Sequence, residues 1–182
     1  MRQIKGAVFK YFIMNIRANK TGIYDELLTE EEKEIVNQRI LDAVWYPYDH
    51  FKKIFSAVAK AEANNDMNNI IKWGYDYAQK TLDRMYKDRM KKRGLRLAIT
   101  TYDHMFKLWF DFGKQKGEII SDNEVNISFD DFDKDFDLFY YLACGWIQSF
   151  FEAYLGTKVS TKFLQKSWEG DEQTIINLTW TS

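Results

Sequence analysis

Cysteine, proline, histidine and net charge are all scarce in this chain, and each scarcity removes a class of function. A single cysteine, Cys144, excludes an internal disulfide and any zinc site built on thiolates. A single proline, Pro47, and the lack of any Gly/Ser-rich tract leave no linker long enough to separate domains. The two histidines, His50 and His104, are too far apart to make a metal site by spacing, so no metal is expected. Lys and Arg number 26 against 27 Asp and Glu, a net charge of −1, so no global field draws the chain to nucleic acid. No run is apolar enough to span a bilayer and the first residues lack a signal-peptide core, so a cytoplasmic protein is expected. Gly-x-Ser-x-Gly, His-Glu-x-x-His and phosphate-cradling glycine motifs are missing, and no enzymatic activity is expected.

Aromatic side chains are plentiful, at 17% of the 182 residues. That excess implies a bulky core or apolar surface kept for a ligand or partner. Val8, Phe9, Phe12 and Ile13 fall at helical spacing, and Gly22 interrupts the pattern. Thr29 with Glu32 three residues on has the form of a capping box, opening a short helix through Ile35, Val36 and Ile40. After Pro47, Asp49 is a candidate cap for a helix carrying Phe51, Ile54, Phe55 and Val58. Asp66 is a candidate cap for the next helix, through Ile70, Trp73 and Tyr77 towards Met90, and another covers Leu97 to Phe110.

After Gly113 the period changes. Glu118–Ser121 and Val125–Phe129 alternate as strands do, with Asp122-Asn123 as their turn. Asp133 to Leu155 returns to helix, apolar nearly all round, with Gly156 as its stop. Thr157–Trp168 and Thr174–Thr181 end the chain as strands, turning on Glu169-Gly170-Asp171. The expected fold class is α+β: one domain over 1–182, with a helical part over 1–112 packed on a C-terminal antiparallel sheet (113–182) of hairpin, long helix, hairpin order.

Ile4-Lys5-Gly6, Trp45-Tyr46-Pro47, the stretch from Trp109 through Gly117, Gly145-Trp146, and Trp168-Glu169-Gly170-Asp171 leading to Leu178-Thr179-Trp180 carry a resemblance. With them the chain resembles a bacterial family first noted as myxobacterial paralogues. Its distant relatives are four-vinyl-reductase-type small-molecule-binding domains, heme nitric-oxide-binding sensors and eukaryotic transport-particle subunits. The resemblance implies an α+β fold that binds a small apolar ligand or serves as an interaction platform. Two departures stand out. Ser167 and Thr174 occupy positions near the final turn where four-vinyl-reductase-type domains often carry cysteines. The Tyr-x-Ser-x-Arg element by which heme nitric-oxide sensors hold the propionates is missing.

His104 is the candidate heme ligand, weighed against an ordinary histidine beside a core stripe. With the propionate element missing, the expectation is a chain without a cofactor. His50 is expected to be exposed in the first turn of its helix. Cys144, inside the aromatic helix, reads as a small hydrophobe with no nearby cation. The basic stretch from Arg84 to Arg96 reads as a solvated helix end, and Asp130 to Asp137 lack the glycine and distal glutamate of a calcium loop.

Two functions follow. The first is a non-enzymatic sensory domain with an apolar pocket between the aromatic helix and the N-terminal helices, lined by Trp73, Tyr77, Phe106, Trp109, Tyr140, Cys144 and Ile147. The second is a protein-interaction module, homodimeric or bound to a partner, with a filled core. Heme-based gas sensing is a third.

Overall fold

A computed structural model describes residues 1–86 and 94–181, with side chains for all of these except 83–86. The side chains of the basic stretch from Arg84 to Arg93, and the helix end expected near Met90, lie outside the described residues. The architecture is α+β, helices followed by an antiparallel four-stranded sheet. Contacts group into two units: 1–66 with 107–112, and 67–106 with 113–182.

The first unit begins with β1 (Gln3–Lys5), α1 (Gly6–Ala18), α2 (Ile23–Leu27) and α3 (Glu30–Asn37), followed by β2 (Trp45–Pro47) and α4 (Tyr48–Ala63). β1 and β2 pair antiparallel, Ile4 opposite Tyr46, and Ile4 also bridges to Phe110. Pro47, which has no N–H to give, stands at the end of that short ladder. The apolar positions of α1 and α4 meet in an aromatic core: Phe12 lies 4.5 Å from Phe55 and 5.8 Å from Phe51, ring centre to ring centre. α3 opens on the expected capping box, the Glu32 amide donating to Thr29 Oγ1 and the Thr29 amide donating to the Glu32 carboxylate. α4 starts at Tyr48, so Asp49 sits in its first turn and not at its cap; there it faces the positive end of the helix dipole.

The second unit holds α5 (Met67–Tyr86), most of α6 (Leu95–Trp109), β3 (Lys114–Ser121), β4 (Glu124–Asp130), α7 (Asp137–Leu155), β5 (Val159–Gln165) and β6 (Thr174–Trp180). Within this unit α5 packs on α7. The sheet order is β3-β4-β6-β5, all antiparallel, so the two hairpins join through β4 and β6. Its buried face carries Val125, Ile127, Ile176 and Leu178, all fully buried.

α7 is buried at most of its positions, as an all-round apolar helix must be. It starts at Asp137, four residues later than the sequence suggested, because Asp133 accepts from the Asp135 amide in a turn ahead of the helix. α5 lies against it backbone to backbone. A Cβ at Gly145 would stand 1.8 Å from the Ile71 carbonyl oxygen, and one at Gly74 would stand 2.0 Å from that of Leu142. β3 begins at Lys114, ahead of the expected Glu118, because its inward positions are Gln115 and Gly117 and give no apolar alternation. Gly117 leaves room for Ile99, whose Cγ2 would lie 2.5 Å from an added Cβ.

The final turn behaves as the sequence suggested. Gly170 has φ 104°, and Asp171 Oδ2 accepts from the Lys166 amide at 2.6 Å. These two glycine settings separate experimentally. Gly145→Ala is expected to destabilise the protein by about 3 kcal/mol through forced separation of two helices. Gly170→Ala, with open space around the new methyl, is expected to cost only about 1 kcal/mol of backbone strain. Urea midpoints of the two variants test this; equal losses would contradict the close crossing.

Candidate ligand-binding site

α6 turns Ala98, Tyr102, Met105 and Phe106 inward, a helical stripe of buried positions. His104 stands about 200° around the helix from Tyr102 and is exposed. Its imidazole is open to an incoming group. Behind it, Tyr102 is pinned in a ring stack: it lies 5.7 Å from Trp146, which stacks at 5.3 Å on Phe150, which in turn meets Tyr154 at 4.7 Å. Complete burial pushes the Tyr102 phenol far above its ordinary range, so it stays neutral.

Four of the seven residues read as a pocket lining lie in the interior of the second unit. Phe106 meets Phe129 edge-on at 5.9 Å, and Phe129 meets Tyr140 at 5.6 Å, so β4 joins the two. Tyr140 also stacks on Trp168 at 5.2 Å. Ile147 is fully buried. Cys144 is buried, its Sγ donating to Thr161 Oγ1 at 3.2 Å; burial pushes its thiol up, partly offset by that hydroxyl. A thiol held protonated is a poor nucleophile. Trp73 and Tyr77, one turn apart on α5, are half-buried, and Trp109 falls in the first unit.

Ser167 and Thr174 stood out in the sequence only as hydroxyls near the final turn where thiols were a possibility, and Phe129 only as a strand residue. Phe129 and Ser167 border a surface recess of about 340 Å³ together with Phe132, Tyr140 and the charged Lys114 and Asp130, and Thr174 lies behind Ser167. The Ser167 and Thr174 hydroxyls are 2.9 Å apart, and Ser167 Oγ donates to the Lys134 carbonyl. Hydroxyls at these positions secure the last turn without thiol chemistry.

The long helix is tied to its neighbours by one charged cluster. Glu152 accepts from Tyr75 Oη at 2.6 Å, from Lys158 Nζ at 3.0 Å and from the Val159 amide at 3.2 Å. Burial acts to raise its carboxyl, but the Tyr75 phenol, Lys158 and the amide together hold it below the ordinary carboxylate range.

With this geometry in hand, solved structures resemble the chain over its whole length. An H-NOX (heme nitric-oxide-binding) protein from S. oneidensis in the Fe(II)NO ligation state matches with a TM-score of 0.68 at 13% identity, covering 98% of this chain and 100% of that one. An oxygen-binding H-NOX domain related to soluble guanylate cyclases matches with a TM-score of 0.64 at 13% identity, covering 98% and 96%. An Fe(II) unliganded H-NOX mutant from K. algicida matches at 0.64 and 10% identity, covering 98% and 97%. The fold is that of the H-NOX domains. No family model and no curated protein matches the chain.

These matches correct one expectation. A chain without a cofactor was inferred from a missing Tyr-x-Ser-x-Arg element, yet the full-length likeness is to domains that carry heme, one of them solved to probe heme distortion. A three-residue element is a narrow test, whereas the likeness of fold extends over 98% of the chain at 13% identity. Among the described residues, His104 carries an accessible imidazole on α6. β3 to β6 contain no arginine, so a heme here would not be held by the usual propionate element. No described helix is long and apolar enough to cross a membrane.

Glu152 supplies a pH test. Its folded-state pKa is lowered, so its stabilisation is present above the ordinary carboxyl value of 4.5 and is lost as pH falls through the lower folded value. Glu152→Gln is expected to lose about 2 kcal/mol at neutral pH. Its stability should also fall less steeply than that of the wild type below pH 4.5, as measured by denaturant titration across pH. Parallel pH profiles would contradict an ionised, hydrogen-bonded Glu152.

Proposed function

We propose that this chain is a heme-based small-molecule sensor domain without catalytic activity, with His104 as its iron ligand. The observation that carries the reading is the H-NOX fold over 98% of the chain, with an exposed imidazole on α6. Bound heme supplies an iron that takes a diatomic gas such as nitric oxide or oxygen. This chain's own residues then do the rest. His104 would hold the group at α6. Tyr102 and Phe106 on the inner face pass any displacement of α6 to Trp146 on α7 and Phe129 on β4. A ligand that favours one packing of these rings over another shifts the population of the unit, which is how a domain with no catalytic group signals. The protonated, buried Cys144 is consistent with a non-enzymatic role. The output goes to another protein or a second copy of the chain.

Hemin titration of the purified protein tests this. The wild type is expected to bind one equivalent with a sharp Soret band. His104→Gly should lose that band, and added imidazole should restore it. A Soret band that survives His104→Gly unchanged would remove His104 from the role, and no band in the wild type would overturn the reading.

A second reading, an interaction module, is favoured by one observation: Ile119 and Ile120 on β3 and Leu164 on β5 are exposed on the two outer strands of the sheet. Open strand edges with apolar side chains are pairing surfaces. A dimer in analytical ultracentrifugation that Ile120→Lys dissociates is its expected signature; a monomeric wild type would contradict it.

A further inference from the structure

The first unit holds a cluster that the sensor reading does not use. The first turns of α3 and α4 bring Glu31, Glu32 and His50 together, one ligand atom of each within 4.8 Å of the others. Glu31 Oε1 lies 3.7 Å from His50 Nε2. Glu32 is only 2% exposed, an unusual position for a carboxylate. Its charge is met by Lys53 Nζ at 3.0 Å and by Thr29. His50, expected from sequence to be exposed, has a side chain only 18% accessible, and its Nδ1 is buried with no hydrogen-bond partner. A buried imidazole nitrogen without a partner is costly. The other ring nitrogen, Nε2, is the one that faces Glu31, and next to two carboxylates it marks a place suited to a cation with nitrogen affinity.

We propose that Glu31, Glu32 and His50 form a divalent metal site of the zinc class. Imidazole nitrogen and carboxylate oxygen both ligate zinc at about 2.0–2.2 Å, so tetrahedral partners stand roughly 3.4 Å apart. The observed 3.7 Å between Glu31 and His50 is close to that, and Glu31, with 64% of its side chain accessible, is free to adjust. Three protein ligands leave the fourth position to water. An imidazole in the set selects against magnesium and calcium, which take oxygen. Lys53 is the cation that holds the place of the metal: 56% of its side chain is accessible, so its ammonium can swing out and leave Glu32 to the ion. The bound ion would tie α3 to α4 within the first unit.

Calorimetric titration of the full chain with zinc chloride tests the site, with the visible spectrum of the cobalt(II) form reporting its geometry. One equivalent is expected to bind. His50→Gln and Glu31→Gln should each weaken binding by about tenfold to a hundredfold, and Lys53→Met should tighten it by removing the competing ammonium. His104→Gln should leave it unchanged. Circular dichroism checks that His50→Gln folds, and the exposed Glu31→Gln carries the same test if it does not. No binding by the wild type, binding untouched by both His50→Gln and Glu31→Gln, or binding lost in His104→Gln would overturn the proposal. An affinity unmoved by Lys53→Met would remove Glu32 from the ligand set.

Discussion

Where Gly145 meets the backbone of Ile71, and Gly74 that of Leu142, two helices lie together with no side chain between them. The rest of the second unit depends on that contact. It lets α5 lie flat along α7, which leaves the large side chains of α7 to point elsewhere: Trp146 and Phe150 towards Tyr102 on α6, and Tyr140 towards Phe129 and Trp168. A methyl group at either glycine would push the helices apart and strip those rings of their partners. Interiors packed to crystal density do not absorb such a shift by small adjustments.

The same packing gives α6 its two faces. Its inward stripe is committed to ring contacts, so His104 is left outside with an accessible imidazole. Glu152 then joins α7 to Tyr75 on α5 and to the start of β5 through three hydrogen bonds. A change at α6 therefore meets a network that is rigid behind it and tied at one charged point, the condition under which a local event favours one discrete packing over another.

Much of this was legible in the residues. The run from Phe136 to Tyr154 announced a buried helix, Thr29 and Glu32 announced a capped one, and Gly170-Asp171 announced a turn; each is a local pattern whose physics is local. The start of β3 was not legible, because Gln115 and Gly117 take inward positions for reasons that lie on other elements. The close approach at Gly74 and Gly145 was equally hidden, since a glycine within a helix shows its purpose only against the partner backbone. Heme was set aside on a missing short element, while the evidence for it lay in the whole fold. Nothing in the neighbours of His104 showed that it would face outward, and His50, expected to be exposed, is half-buried beside Glu31 of α3.

The visible spectrum of the protein purified from cells supplied with a heme precursor tests the sensor reading most directly. A Soret band in stoichiometric amount, shifting when nitric oxide is added to the reduced protein, is the expected result. A colourless protein that stays folded and takes up no heme under those conditions would contradict it.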